Sequence, residues 1–262
     1  MGDGIGVAVE AGVLAVTIDR PDRGGSLRAV DMAALLDAFT ARPEGTRAVL
    51  LRSTGRHFCT GADLSTAADR NGKPPTGHLR EQLAAGAHAL VRAMWECPVP
   101  VVAGVRGRAD GLGNHIAQAA DLVVGGRGAS FSEPFARRGF SVDSGGSWLL
   151  TRRVGLARAT QMALLGEPVD APTAAAWGLC AEVVDDELVD ERSAQLAATL
   201  AAGATLALSL TKRLLRNNGG AVELGAAMEA EALAVELSVR SEDFKEGLRA
   251  FGDRRIPQFT GR

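Results

Sequence analysis

Two short glycine-bearing segments hold the residue types and spacing that could do chemistry. They are Phe58-Cys59-Thr60-Gly61-Ala62-Asp63-Leu64 and, further along the chain, Gly107-Arg108-Ala109-Asp110-Gly111-Leu112-Gly113-Asn114-His115. Each lies beyond an apolar, β-branched run, so each reads as a turn leaving a buried strand. Ala62, between a glycine and an aspartate, can present its backbone N–H outward from a tight turn. Leu112 stands at the entrance to a helical stretch, where the first amides lack intrahelical partners and the helix dipole favours negative charge. Two N–H groups aimed from separate loops at one point can hold a carbonyl oxygen as charge builds on it, which is what an oxyanion hole does. The plainer alternative is a pair of ordinary strand-to-helix turns in which glycine supplies positive φ.

Three titratable side chains lie near these loops or downstream of them. Asp143 sits in Phe140-Ser141-Val142-Asp143-Ser144-Gly145-Gly146-Ser147-Trp148-Leu149-Leu150. By itself this reads as an Asx-type turn; enclosed by Phe135, Phe140 and Trp148, the same acid would be costly to ionise and suited to moving protons. His115 can act as an acid or base near neutral pH, or be a helix residue hydrogen-bonded to Asn114 or the Asp110 loop. Glu133, charged and beside a turn, reads as structural or exposed. No histidine has metal-ligand spacing with a partner, so no metal is expected.

The elements that must position these residues alternate. Val13–Ile18 reads as a strand, Ala29–Phe39 as an amphipathic helix and Ala48–Arg52 as a buried strand. Asp69–Thr76 is a polar surface segment, followed by a helix over His78–Trp95 and a strand over Pro98–Val105. Leu112–Ala120 reads as helix and Asp121–Val124 as strand. Strand signals are lacking in the alanine-rich tail, where Asp190–Leu200, Ala207–Asn217 and Val222–Leu237 read as helices. The organisation is α/β, with a core over residues 1–200 that holds the site and a helical region over 201–262 for a subdomain or oligomer contact.

The 262 residues suffice for a sizeable core, and 46% hydrophobic with 23% charged content is ordinary for a globular protein. A net charge of −2 argues against general nucleic-acid or anionic-membrane binding. The three cysteines are widely spaced and odd in number, and no signal peptide is evident at the start; both fit a reducing cytoplasm.

The segments Phe58–Leu64, Pro98–Asp121 and Phe131–Gly155 together resemble the crotonase superfamily, the enoyl-CoA hydratase/isomerase family. Leu164-Leu165-Gly166-Glu167, Ala174-Ala175-Ala176-Trp177-Gly178-Leu179, Val183-Val184 and Ala250-Phe251-Gly252-Asp253-Arg254-Arg255 extend the resemblance over nearly the whole chain. It implies a spiral of β-β-α units, C-terminal helices that build a homotrimer or dimer of trimers, and an acyl-CoA thioester substrate. No cofactor is implied, coenzyme A being part of the substrate. By motif position Ala62 and Leu112 supply the two oxyanion N–H groups, with Leu112 standing where many members have glycine.

The two catalytic glutamates of the family's hydratases fall at His115 and Phe135 here, and phenylalanine can neither activate water nor carry a proton. The Asp143 segment is similar to the dienoyl-CoA and ring-epoxyphenylacetyl-CoA isomerase branch, where an aspartate at this position shuttles a proton. Expected substrate contacts are Arg23, Phe58, Gly61, Asp63, Leu64, Gly111, Phe135, Phe140 and Trp148, and phosphate-binding candidates are Arg20, Arg23, Arg56 and Lys212 or Arg254. The resulting expectation is a thioester enolate held by two amides while Asp143 shifts a double bond. The alternatives are hydration by Asp143 and His115, or a degenerate member that only binds acyl-CoA.

Overall fold

Val13–Ile18 alternates half-buried and fully buried residues, the pattern of a strand packed on one face, and it forms β2. In the computed structural model, which describes residues 4–65, 75–220 and 222–262, β2 turns back on β1 (Ile5–Glu10) as an antiparallel hairpin. Helix α1 (Ala29–Thr40) buries Leu35 and Phe39 and leads to β3 (Ala48–Ser53), which is nearly all buried and pairs parallel to β2. Of the polar segment expected over Asp69–Thr76, residues 69–74 lie outside the described residues.

The helix expected over His78–Trp95 is continuous, but its middle is π-helical over Ala84–His88, between α2 (His78–Leu83) and α3 (Ala89–Trp95). Strand β4 (Val101–Val105) then runs parallel to β3, and the chain makes one spiral turn through β5 (Arg108–Asp110) and α4 (Leu112–Ala119). A second turn adds β6 (Leu122–Gly126), β7 (Ser130–Ser132) and α5 (Gly146–Leu165), a helix broken at Gly155. β8 (Val169–Asp170), α6 (Ala171–Trp177) and β9 (Glu182–Val184) complete the α/β part. Each spiral turn gives one strand to each of two sheets: six strands in the order β1-β2-β3-β4-β6-β9, and three in the order β5-β7-β8.

The tail is helical as expected, with α7 (Val189–Ala202), α8 (Thr205–Asn218), α9 (Leu224–Ser238) and α10 (Glu242–Asp253). Side-chain hydrogen bonds tie the tail back to the α/β part. Arg47 donates to Gly203 O at 2.8 Å and Thr205 Oγ1 at 2.9 Å, and Lys212 Nζ donates to Val99 O at 2.7 Å.

Helix α4 is the element that matters for the site, and all eight of its residues are buried. Its last carbonyls meet guanidinium groups from two helices: Arg153 donates to Gln118 O at 2.9 Å and Arg216 to Ala119 O at 3.0 Å. Cations at the C-terminal end of a helix complement its dipole. They also fix where its N-terminal end points.

Candidate active site

The first glycine loop is pinned on both sides. Cys59 N donates to Arg108 O and Asp110 N to Cys59 O, joining the loop to β5 at 3.1 and 3.0 Å. Leu27 N donates to Gly61 O at 2.9 Å and Asp63 N to Leu27 O at 2.8 Å, a parallel bridge between Leu27 and Ala62. In extended backbone successive N–H groups point to opposite sides. With Asp63 N–H turned to Leu27, the exposed Ala62 directs its own N–H away from that bridge, and it has no acceptor among the described residues.

The second loop turns sharply at Gly111 (φ 52°, ψ −117°), a conformation that excludes side chains, and α4 starts at the next residue. Gly111 N donates to Ser132 O at 2.9 Å, whereas the Leu112 N–H, first in the helix, has no acceptor among the described residues. A Cβ built on Gly61 would lie 3.9 Å from Leu112 N. The two unengaged amides thus belong to adjoining peptides of two loops in contact.

Next to these amides stands a cluster that a sequence without a fold does not disclose. Glu133 is fully buried, which excludes the exposed alternative and leaves the structural one. Its Oε2 lies 2.8 Å from His115 Nε2, and its Oε1 accepts from Asn114 Nδ2 at 2.7 Å. Asn114 Oδ1 in turn accepts from Gln118 Nε2 at 3.3 Å. Buried polar groups need such partners, since each left unpaired costs roughly 1–3 kcal/mol.

The His115 ring therefore bonds to neither Asn114 nor the Asp110 loop; only its backbone N–H reaches that loop, at Gly111 O, 2.9 Å away. The ring lies parallel to Phe135, centroids 5.6 Å apart, and Phe135 Cζ comes within 3.2 Å of where a Cβ on Gly111 would be. With no solvent exposure and its Nε2 on Glu133, His115 is not placed to serve as a second acid or base.

Asp143 is carried on the turn that opens α5. Its carbonyl accepts from Gly146 N at 2.9 Å, and its Oδ1 from the Ser144 hydroxyl at 2.6 Å. The turn packs on both neighbouring helices. A Cβ on Gly145 would lie 3.5 Å from Val91 of α3, and one on Gly146 only 2.2 Å from His115 Nε2. The expected aromatic enclosure is looser than the sequence suggests. Asp143 is half-buried, Phe140 is 52% exposed, and Trp148 packs edge-on to Trp95 with Arg152 over its face.

The remaining expected contacts divide. Phe58 is wholly buried in the core and anchors its loop from below, so it is not placed to touch a substrate. Gly61 lines the contact between the loops, Gly111 faces Phe135 and Pro134, and Leu64 is exposed. Asp63 accepts from Ser65 N at 3.0 Å and pairs with Arg20 at 3.2 Å. The Ser65 hydroxyl and N–H, then Arg20, hold its carboxyl below the usual range.

Arg20 is also taken up by Asp31 at 3.2 Å, and Lys212 by Asp121 at 2.7 Å; both are removed from the phosphate-binding candidates. Arg23, Arg56 and Arg254 remain exposed. The parallel register of β5 and β7, Asp110 opposite Ser132, was the signal that could have found the cluster. It brings the residues just beyond, His115 and Glu133, to the same end of the small sheet.

Comparison with known proteins places the chain in a family. The family model described as enoyl-CoA hydratase/isomerase matches residues 8–262. The chain is 38% identical over 258 residues to a 1,2-epoxyphenylacetyl-CoA isomerase of Escherichia coli (strain K12), covering 97% of each. It is 33% identical over 252 residues to a 2,3-dehydroadipyl-CoA hydratase of the same organism, covering 95% of this chain and 96% of that one. The crystal structure of an enoyl-CoA hydratase from Bacillus anthracis superposes with a TM-score of 0.91 at 27% identity, covering 99% of this chain and 100% of that chain. The chain belongs to the enoyl-CoA hydratase/isomerase family, the crotonase superfamily.

Proposed function

We propose that this enzyme isomerises an unsaturated acyl-CoA thioester. The Ala62 and Leu112 N–H groups would hold the thioester oxygen as it takes on enolate charge. Asp143 would remove a proton from one carbon of the acyl chain and return it to another. The observation that carries this reading is the pair of unengaged amides on two loops in contact, beside a turn bearing a half-buried carboxylate. Hydrogen-bond donors already in place cost no reorganisation as charge develops, and one such donor is worth about 10²–10³ in rate.

Isomerisation is favoured over hydration because of what fills the two glutamate positions. Adding water across a conjugated double bond calls for one group to activate water and another to manage the α-proton. Phe135 has no proton to offer, and His115 is turned to Glu133 without solvent contact. A 1,3-proton relay needs one carboxylate, and Asp143 supplies it. The same vacancies favour a second reading, a member that binds acyl-CoA without chemistry.

Subunit contacts are part of the proposal. Leu156, Leu164, Leu248, Phe251 and Ile256 leave large apolar side chains in solvent on α5, on α10 and beyond it. Burial against further copies of the chain, as a trimer or a dimer of trimers, would cover them.

The deciding experiment incubates the protein with 2-enoyl- and 3-enoyl-CoA thioesters in deuterated water. The proposal expects deuterium at the acyl carbons and double-bond migration, both lost in Asp143→Asn. Coenzyme A thioesters that bind without exchange on any member of the panel would instead establish the non-catalytic reading.

A further inference from the structure

We propose that Glu133 is a positioning residue for this chemistry, acting through His115 to hold the Leu112 peptide and the Asp143 turn at a fixed separation. The inference rests on the isomerase reading, and it concerns a carboxylate that the proton relay itself does not use. The His115 ring touches both halves of the site. On one side it stacks on Phe135, whose edge reaches Gly111, and the next peptide carries the Leu112 N–H. On the other side the Asp143 turn closes directly on the imidazole, since a Cβ on Gly146 would come within 2.2 Å of Nε2, and Gly146 N–H is bonded to Asp143 O. One ring therefore spaces the donor of the enolate hydrogen bond from the turn that bears the acid.

A stacked ring can tilt in its slot unless an edge atom is tied. Glu133 Oε2 makes that tie at 2.8 Å, and Asn114, one residue before His115 on α4, holds the other carboxylate oxygen at 2.7 Å so that the carboxylate cannot swing. Both side chains are fully buried, so neither meets the substrate. Packing alone does not call for this pair, because apolar residues of similar volume fill such space without removing a charge from water. Small displacements of reacting groups are costly in rate, about 10²-fold for roughly 1 Å. That is the margin a tied ring protects.

The test uses the deuterium-exchange assay on the full chain in its native oligomer, comparing wild type, Asp143→Asn, Glu133→Ala and Glu133→Gln, with thermal unfolding of each. In Glu133→Ala the exchange kcat falls by about 10²-fold while KM stays within about threefold. Glutamine, which keeps a neutral tie to the imidazole, brings kcat back to within about tenfold of wild type. Should Glu133→Ala not fold, the double variant His115→Phe/Glu133→Leu keeps an aromatic ring and the buried volume but has no tie, and it shows the same selective loss of kcat. Wild-type kcat in folded Glu133→Ala, or in the apolar double variant, overturns the positioning role alone. Absence of exchange in the wild type overturns the isomerase reading itself.

Discussion

Gly113 packs directly on the carbonyl of Cys59: a Cβ at Gly113 would lie 1.9 Å from that oxygen. Through this contact the helix that presents the Leu112 N–H is pressed against the loop that presents the Ala62 N–H. Neither partner can yield, since the obstacle is backbone, and the Cys59 carbonyl is already bonded to Asp110 N. Gly113→Ala is expected to lower stability by about 3 kcal/mol and to remove the proposed proton exchange in the protein that still folds. Thermal unfolding together with the exchange assay checks both effects.

Asp31 holds Arg20, which also pairs with Asp63 of the first loop, and it sets an acid limit on stability. Burial opposes its ionisation, but hydrogen bonds from the Arg28 side chain and backbone, with the Arg28 and Arg20 charges, outweigh it and hold the carboxyl below its ordinary value of 3.8. The stability this gives is complete above that value and is lost as pH falls through the lower folded value. Asp31→Asn, which removes the charge Arg28 and Arg20 share while Arg20 keeps Asp63, is expected to cost about 1.5–3 kcal/mol at neutral pH. It should also flatten the fall of Tm between neutral pH and about pH 3. Unfolding curves over that range for both proteins test the claim.

All three cysteines are buried and free. Burial pushes the thiols of Cys59 and Cys180 up to about 12. Thiolate is the reactive form, so a thiol-specific chromogenic reagent at pH 8 is expected to find no fast-reacting site in the native protein. After unfolding it should find all three thiols. Rapid native labelling would mean that the loop carrying Cys59 opens readily.

Phe251 is 87% exposed on α10 and Ile256, just beyond it, 86%. If these residues sit in subunit contacts, sedimentation should give the mass of three or six chains for the wild type. Phe251→Asp with Ile256→Asp should shift the distribution toward single chains. An unchanged distribution would place the contacts elsewhere.

Much of this fold is legible in the residues because burial and periodicity coincide. The alternation in Val13–Ile18, the apolar run before the second glycine loop and the helical stretch from His78 to Trp95 all carry their own signal. Other elements do not. β1 is joined to β2 by Ala11 and Gly12, both at positive φ, without the Asn-Gly or Asp-Gly pair that marks a tight hairpin. In α5 the apolar residues are spread around the helix, with Leu149 and Leu150 buried but Leu156 and Leu164 exposed, and Gly155 interrupts the helix.

At the site, the glycines that bring the loops together follow from their motifs. The burial of Glu133 does not, since it depends on the register of two short strands of the small sheet. Phe58 was misplaced for the converse reason: its position in a functional loop says nothing about which face of the loop its side chain takes.

The central claim is that the Leu112 N–H stabilises the enolate. Leu112→Pro removes that hydrogen, and because it also trims a buried core side chain, Leu112→Ala, which keeps the N–H, is its control. Proline suits the first position of a helix, and the N–H it removes has no protein acceptor among the described residues. The account predicts that the variant folds and binds coenzyme A thioesters like wild type, while its exchange kcat falls by about 10²–10³-fold. A folded Leu112→Pro protein that exchanges the acyl proton at the wild-type rate would contradict it.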